Sequence, residues 1–155
     1  MLKTIFGMAL TLLSFGTAQV ETGKAGAMHR AVGTFEVKMK PEPLSEVAGK
    51  TALMRMSIDK VFHGQLEGTS QGEFLASGSP DGSGGYVAME KVTGTLDGKA
   101  GSFVLMHSAT MTEKVPALTV TVVPGSGTGE LVGIAGTFTI VIADGKHSYE
   151  LDYSL

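Results

Sequence analysis

Residues 86–111, YVAMEKVTGTLDGKAGSFVLMHSATM, decide how this chain is read. Two runs, 86–96 and 102–111, flank Asp97-Gly98-Lys99-Ala100-Gly101. Asp-Gly between alternating runs signals a hairpin, because both residues tolerate the left-handed backbone of a tight turn. In the first run Lys91 belongs in water, so parity sends Val87 and Met89 outward with it and turns Tyr86, Ala88 and Glu90 inward. In the second run Phe103, Leu105 and His107 share a face. With both faces internal, Glu90 and His107 lie on adjacent strands and can meet.

The same two-residue period extends in both directions. Residues 34–40 alternate Phe35, Val37 and Met39 against Glu36, Lys38 and Lys40, and Pro41-Glu42-Pro43 is expected to stop the strand. A second strand over 52–63 sets Met54, Met56, Ile58 and Phe62 against Arg55, Ser57, Asp59 and His63. Gly64-Gln65 turns the chain into a third strand over 66–76. Residues 77–85, rich in Gly, Ser, Pro and Asp, form a loop before 86–96. Strands over 117–123, 137–143 and 148–155 complete the set, the last two joined by Asp144-Gly145. Residues 124–136 (PGSGTGELVGIAG) read as a glycine-punctuated connection with one helical turn around 130–132. A dinucleotide loop would need a full helix after it. Eight strands in hairpin succession make an all-β antiparallel meander. Closure into a barrel removes the edges that would otherwise invite aggregation.

Composition bounds the rest. A chain of 155 residues accommodates one core, and its net charge of −3, with 12 basic and 15 acidic residues scattered, gives no footprint for nucleic acid. The absence of cysteine removes disulfides and thiolate chemistry. Met1, Leu2 and Lys3, an apolar run over 5–15, and small residues at 16–18 follow the order of a secretory signal peptide cleaved after Ala18. The predicted organisation is therefore a signal peptide at 1–18, a flexible lead-in at 19–30 and a β-barrel domain at 31–155. The mature protein is expected in the periplasm or secreted, without stable membrane insertion.

The phrases MSIDKVFHGQLEGTSQGEFL, GYVAMEKVTGTLDGKAGSFVLMHSATM and VTVVPGSGTGELVGIAGTFTIVIADGKHSYELDYSL together resemble the bacterial family known as domain of unknown function 3224, over nearly all of 33–155. The resemblance implies the barrel of plant allene oxide cyclase, whose lumen is an apolar ligand cavity. It does not imply that activity, since one fold hosts many functions. The family commonly carries Gln where Met106 stands and Gly where Ala109 stands, which implies the loss of a polar group near His107.

A carboxylate beside an imidazole in a low-dielectric pocket is a plausible acid/base or orienting pair, so Glu90 and His107 are the catalytic candidates. The expected ligand-binding set is Tyr86, Glu90, Phe103, Leu105, His107 and Tyr149. Arg55, Asp59 and His63 share one face at a spacing too long for direct contact, as a solvated outer face would. Glu67 and Glu73 have no assignable direction. His29, His63, His107 and His147 fall on separate segments without metal-ligand spacing, so neither metal nor cofactor is expected. Ser126 between two glycines is turn chemistry, not a hydrolase elbow. Met39, Met54, Met56, Met89, Met106 and Met111 lie in strands and suit an adaptable apolar lining. Val87, Met89, Val104 and Met106 form an apolar exterior, from which a homo-oligomer is expected. Three functions fit: a binder of a small apolar or amphipathic molecule, a cofactor-independent isomerase or cyclase, or an interaction module with a filled barrel.

Overall fold

The hairpin at residues 86–111 forms as its sequence dictates. Strand β4 (Gly84–Leu96) and strand β5 (Lys99–Thr112) pair antiparallel from Gly84↔Met111 to Leu96↔Lys99. Asp97 and Gly98 between them adopt φ of 48° and 80°, the double left-handed conformation that follows the twist of the strands. The turn is thus two residues long, tighter than the five-residue link in the sequence.

The computed structural model describes residues 26–155. The signal peptide at 1–18, its cleavage after Ala18 and the lead-in as far as residue 25 lie outside the described residues. The other strands are β1 (His29–Glu42), β2 (Leu53–Gly64), β3 (Leu66–Gly78), β6 (Val115–Val122), β7 (Thr128–Gly129), β8 (Ala135–Ala143) and β9 (Lys146–Ser154). A 3-10 turn, Ala48–Lys50, sits between β1 and β2. Every pairing is antiparallel, in the order β4-β3-β2-β1-β9-β8-β6-β5, and β4–β5 closes the ring into an eight-stranded barrel. The short β7 is an addition outside the ring. No helix among the described residues is long and apolar enough to cross a membrane.

Strand β1 starts earlier and ends later than its alternation implies. His29 and Arg30, placed in the lead-in by composition, pair with Tyr153 and Asp152 of β9. At the other end Pro41 does not stop the strand but pairs with Met56 of β2. Past Phe35 the β9 ladder has ended, so β1 is a local edge there and the missing proline N–H leaves no bond unfilled on that side. The wall is therefore staggered: β1 to β5 rise beyond the Asp144-Gly145 turn that joins β8 to β9.

That stagger divides the interior into a filled half and an open half. In the filled half Phe62, Phe138 and Tyr149 pack as an aromatic cluster, edge-on at 6.1 and 5.9 Å and stacked at 5.3 Å. Gly33 is required here, because a Cβ would meet His63 O at 2.0 Å and Tyr149 Oη at 2.5 Å. The glycine-rich connection proves to be part of this core. Its helical turn is replaced by two successive tight turns, Leu131 N–H to Thr128 O and Ile134 N–H to Leu131 O, which drop the fully buried Leu131 and Ile134 onto the barrel end. Ser126 and Thr128 then continue the β5 ladder where β6 stops, accepting from the N–H groups of Val104 and Ser102 through their hydroxyls. Beyond this loop β6 and β8 meet through a single ladder pair, Thr121↔Thr137.

Candidate functional site

Midway along the barrel, where the filled half meets the open half, four polar side chains converge. The cause is register. Lys60 stands opposite Ser70, Gly72 opposite Glu90, and Ala88 opposite His107. Glu90 is therefore diagonal to both Ser70 and His107, a separation long side chains span. Gly72 clears the space: a Cβ there would meet Met89 O at 2.3 Å and Glu90 Cα at 2.9 Å.

Glu90 is fully buried and is the hub. Its Oε2 accepts from Lys60 Nζ at 2.7 Å, and its Oε1 accepts from the Ser70 hydroxyl. His107 Nε2 stands 2.9 Å from the same Oε2, off the line of a well-directed hydrogen bond, and has no other partner. Desolvation pushes the Glu90 carboxyl upward. His107, the Lys60 charge and the hydrogen bonds from Lys60 and Ser70 together outweigh it and hold the group down at about 2. Glu90 is therefore an acceptor only, which requires the proton of a neutral His107 to sit on Nε2 and leaves Nδ1 as a bare acceptor. Lys60 completes its surroundings with aromatic faces, its Nζ 4.9 Å from the Phe35 centroid and 5.9 Å from that of Phe62.

Above this cluster lies a cavity of about 160 Å³. Lys60 and His107 reach it, and Phe35, Val37, Ile58, Phe74, Leu118 and Ile140 supply apolar walls. Tyr86, Leu118 and Ile142 also border a second depression of about 530 Å³ at the rim, where residues 82–86 meet Met111 and Pro116. Burial, and then the Glu90 charge, push the Tyr86 phenol up from its ordinary value.

Of the residues singled out in the sequence, Glu90 and His107 are brought together and Tyr86 joins His107 at the cavity. Phe103, Leu105 and Tyr149 do not line it. They are packed in the filled half, with the Tyr149 hydroxyl accepting from Leu66 N–H at 2.8 Å, because the plugging loop occupies the space a ligand would need there. Lys60 and Ser70 were not singled out, yet both carried a signal. Lys60 shares parity with Ile58 and Phe62, and Ser70 with Leu66 and Phe74, so each is a polar residue in an apolar register.

The outer face is organised separately. Glu73 points outward and takes two hydrogen bonds from Arg55, at 2.8 and 2.6 Å, while Glu67 stands 3.2 Å from His63. Val87, Met89 and Met106 are about half exposed, at 55%, 49% and 48%. With Leu75 they border a depression of about 630 Å³, on the exterior and not in the lumen. Met106 faces this exterior, so the family's Gln at that position would add no polar group beside His107: neighbouring residues on a strand face opposite ways. Among the methionines Met39 lines the cavity and Met111 the rim, whereas Met89 and Met106 lie outside. Among the described residues no group of three or more His, Asp or Glu side chains is placed to hold a metal ion.

Comparison with known proteins agrees with this architecture. The crystal structure of a protein of unknown function from the DUF3224 family of Shewanella oneidensis MR-1 is similar at 45% identity and a TM-score of 0.77. The match covers 83% of this chain and 98% of that one. No curated protein matches. The family model described as protein of unknown function (DUF3224) matches residues 31–153, nearly the whole barrel, and the chain therefore belongs to that family.

Proposed function

We propose that the barrel holds a small, largely apolar molecule in its open half, its polar end set on Lys60 and His107, and that the protein does so in the periplasm or after secretion. One observation carries the reading: apolar walls over a buried polar cluster are the usual composition of a small-molecule site. The cavity is smaller than the roughly 300 Å³ at which drug-sized pockets begin, so the ligand is fragment-sized or extends into the rim depression. Native mass spectrometry of protein purified from its own host tests this. A co-purifying small molecule, displaced by members of a lipophile library, is the expected result. Absence of any bound species, together with no binding from the library, would refute it. The same spectrum reads export, since a mature chain beginning at Gln19 is expected and retention of residues 1–18 would refute it.

A second reading is favoured by the 2.9 Å approach of His107 to Glu90. An imidazole whose Nε2 is turned to a carboxylate offers Nδ1 as a general base, and the Lys60 ammonium on the same carboxylate can polarise a carbonyl. The barrel would then act as a cofactor-independent isomerase or cyclase. His107→Gln should abolish turnover of such a substrate while leaving the fold intact; undiminished turnover would exclude the pair from chemistry. An interaction module with a filled barrel describes the plugged half but leaves the cavity without a role.

A further inference from the structure

We infer that the ligand of the open half is an anion, specifically a small apolar carboxylic acid bound with its carboxylate on Lys60 and His107. The inference rests on the binding function proposed above and assigns its ligand class. Three side chains at the cavity can carry positive charge: Lys60, His107 and His147, the last stacked on Phe35 at 5.1 Å between centroids. No carboxylate lines it. Glu90 is fully buried beneath the cavity and turned to Lys60, Ser70 and His107.

Donor capacity points the same way. The Lys60 ammonium has three N–H donors and one carboxylate partner, at 2.7 Å; the Phe35 and Phe62 ring faces beside it accept no strong hydrogen bond. A ligand carboxylate satisfies a second Lys60 donor. It also pairs with His107 in the imidazolium form, in which both ring nitrogens donate. A ligand cation would meet the Lys60 ammonium at the cavity, with the Glu90 carboxylate turned away beneath it. A neutral alcohol or amide would find the same donors but gain no charge-assisted bond, which is about twice as strong as a neutral one.

Calorimetric titration of the full-length mature protein with matched pairs, hexanoate against 1-hexanol and benzoate against benzamide, tests the class. The acids should bind about tenfold more tightly or better. Equal affinity within each pair would overturn the assignment while leaving the binding function standing. Failure of all four probes to bind would overturn both. Because Lys60→Met alone strands a buried carboxylate, the decisive variant is Lys60→Met with Glu90→Gln, which removes both charges together. It should abolish the preference for the acid, hexanoate losing about tenfold more affinity than 1-hexanol. An acid preference that survives in this variant would also overturn the proposal.

Discussion

Replacing Glu90 by Gln keeps the shape of the side chain and its contact with Ser70 but removes the charge at the centre of the cluster. The magnitude follows from linkage. The carboxyl titrates at about 2 in the folded protein against an ordinary value of 4.5, and each whole step on the pH scale is worth about 1.4 kcal/mol, so the ionised form contributes about 3 kcal/mol at neutral pH. Full burial means no solvent screening diminishes that figure. A depressed carboxyl stabilises the fold above its unfolded value, and the contribution disappears as pH falls from about 4.5 toward 2. The lowered acids on the surface, Glu73, Asp81 and Asp152, are present in both proteins and cancel in the difference. Urea unfolding at a series of pH values should therefore show the variant about 3 kcal/mol less stable at pH 7, with the gap closing toward zero near pH 2. A gap that does not change with pH, or one below about 1 kcal/mol at pH 7, would refute the reasoning from the buried cluster.

Three further outcomes are expected. Glu113 and Lys114 occupy a two-residue turn at φ of 49° and 68°, where side chains are strained, so Glu113→Asn with Lys114→Gly should raise stability by about 0.5–1 kcal/mol, read as a higher urea midpoint. Gly72→Ala should destabilise by at least about 1 kcal/mol, because the new Cβ meets backbone that cannot move without shifting Glu90; an unchanged thermal midpoint would contradict that crowding. If the exterior around Val87, Met89 and Met106 is a contact between copies of this chain, Met89→Lys with Met106→Lys should reduce the mass measured by light scattering to that of a monomer. The same mass in wild type and variant would remove that face as the contact.

Two-residue periodicity carried most of the architecture, because in an antiparallel wall each side chain's face follows from parity alone. Glu90 and His107 were legible on that basis, and so was their adjacency across the Asp97-Gly98 turn. Lys60 was equally legible, since it interrupts the apolar register between Ile58 and Phe62. Other features depended on length and closure, which parity does not encode. The role of Leu131 and Ile134 follows from a loop folding over one end of the barrel, so a stretch that looks like punctuation holds core side chains. Phe103, Leu105 and Tyr149 point inward as parity requires, but which inward residues meet a cavity depends on where that plug sits. The Glu113-Lys114 turn lacked glycine, the usual signature, because the ladders on either side force the conformation.

The most direct test of an occupied open half is a crystal structure of the protein soaked with a bromine-substituted benzoate, located by the anomalous signal of bromine. The ligand should lie among Phe35, Ile58, Phe74 and Leu118, with its carboxylate oxygens within hydrogen-bond distance of Lys60 Nζ and His107 Nδ1. Bromine found only in the exterior depression beside Leu75, Val87 and Met106, with the cavity above Glu90 empty, would contradict it.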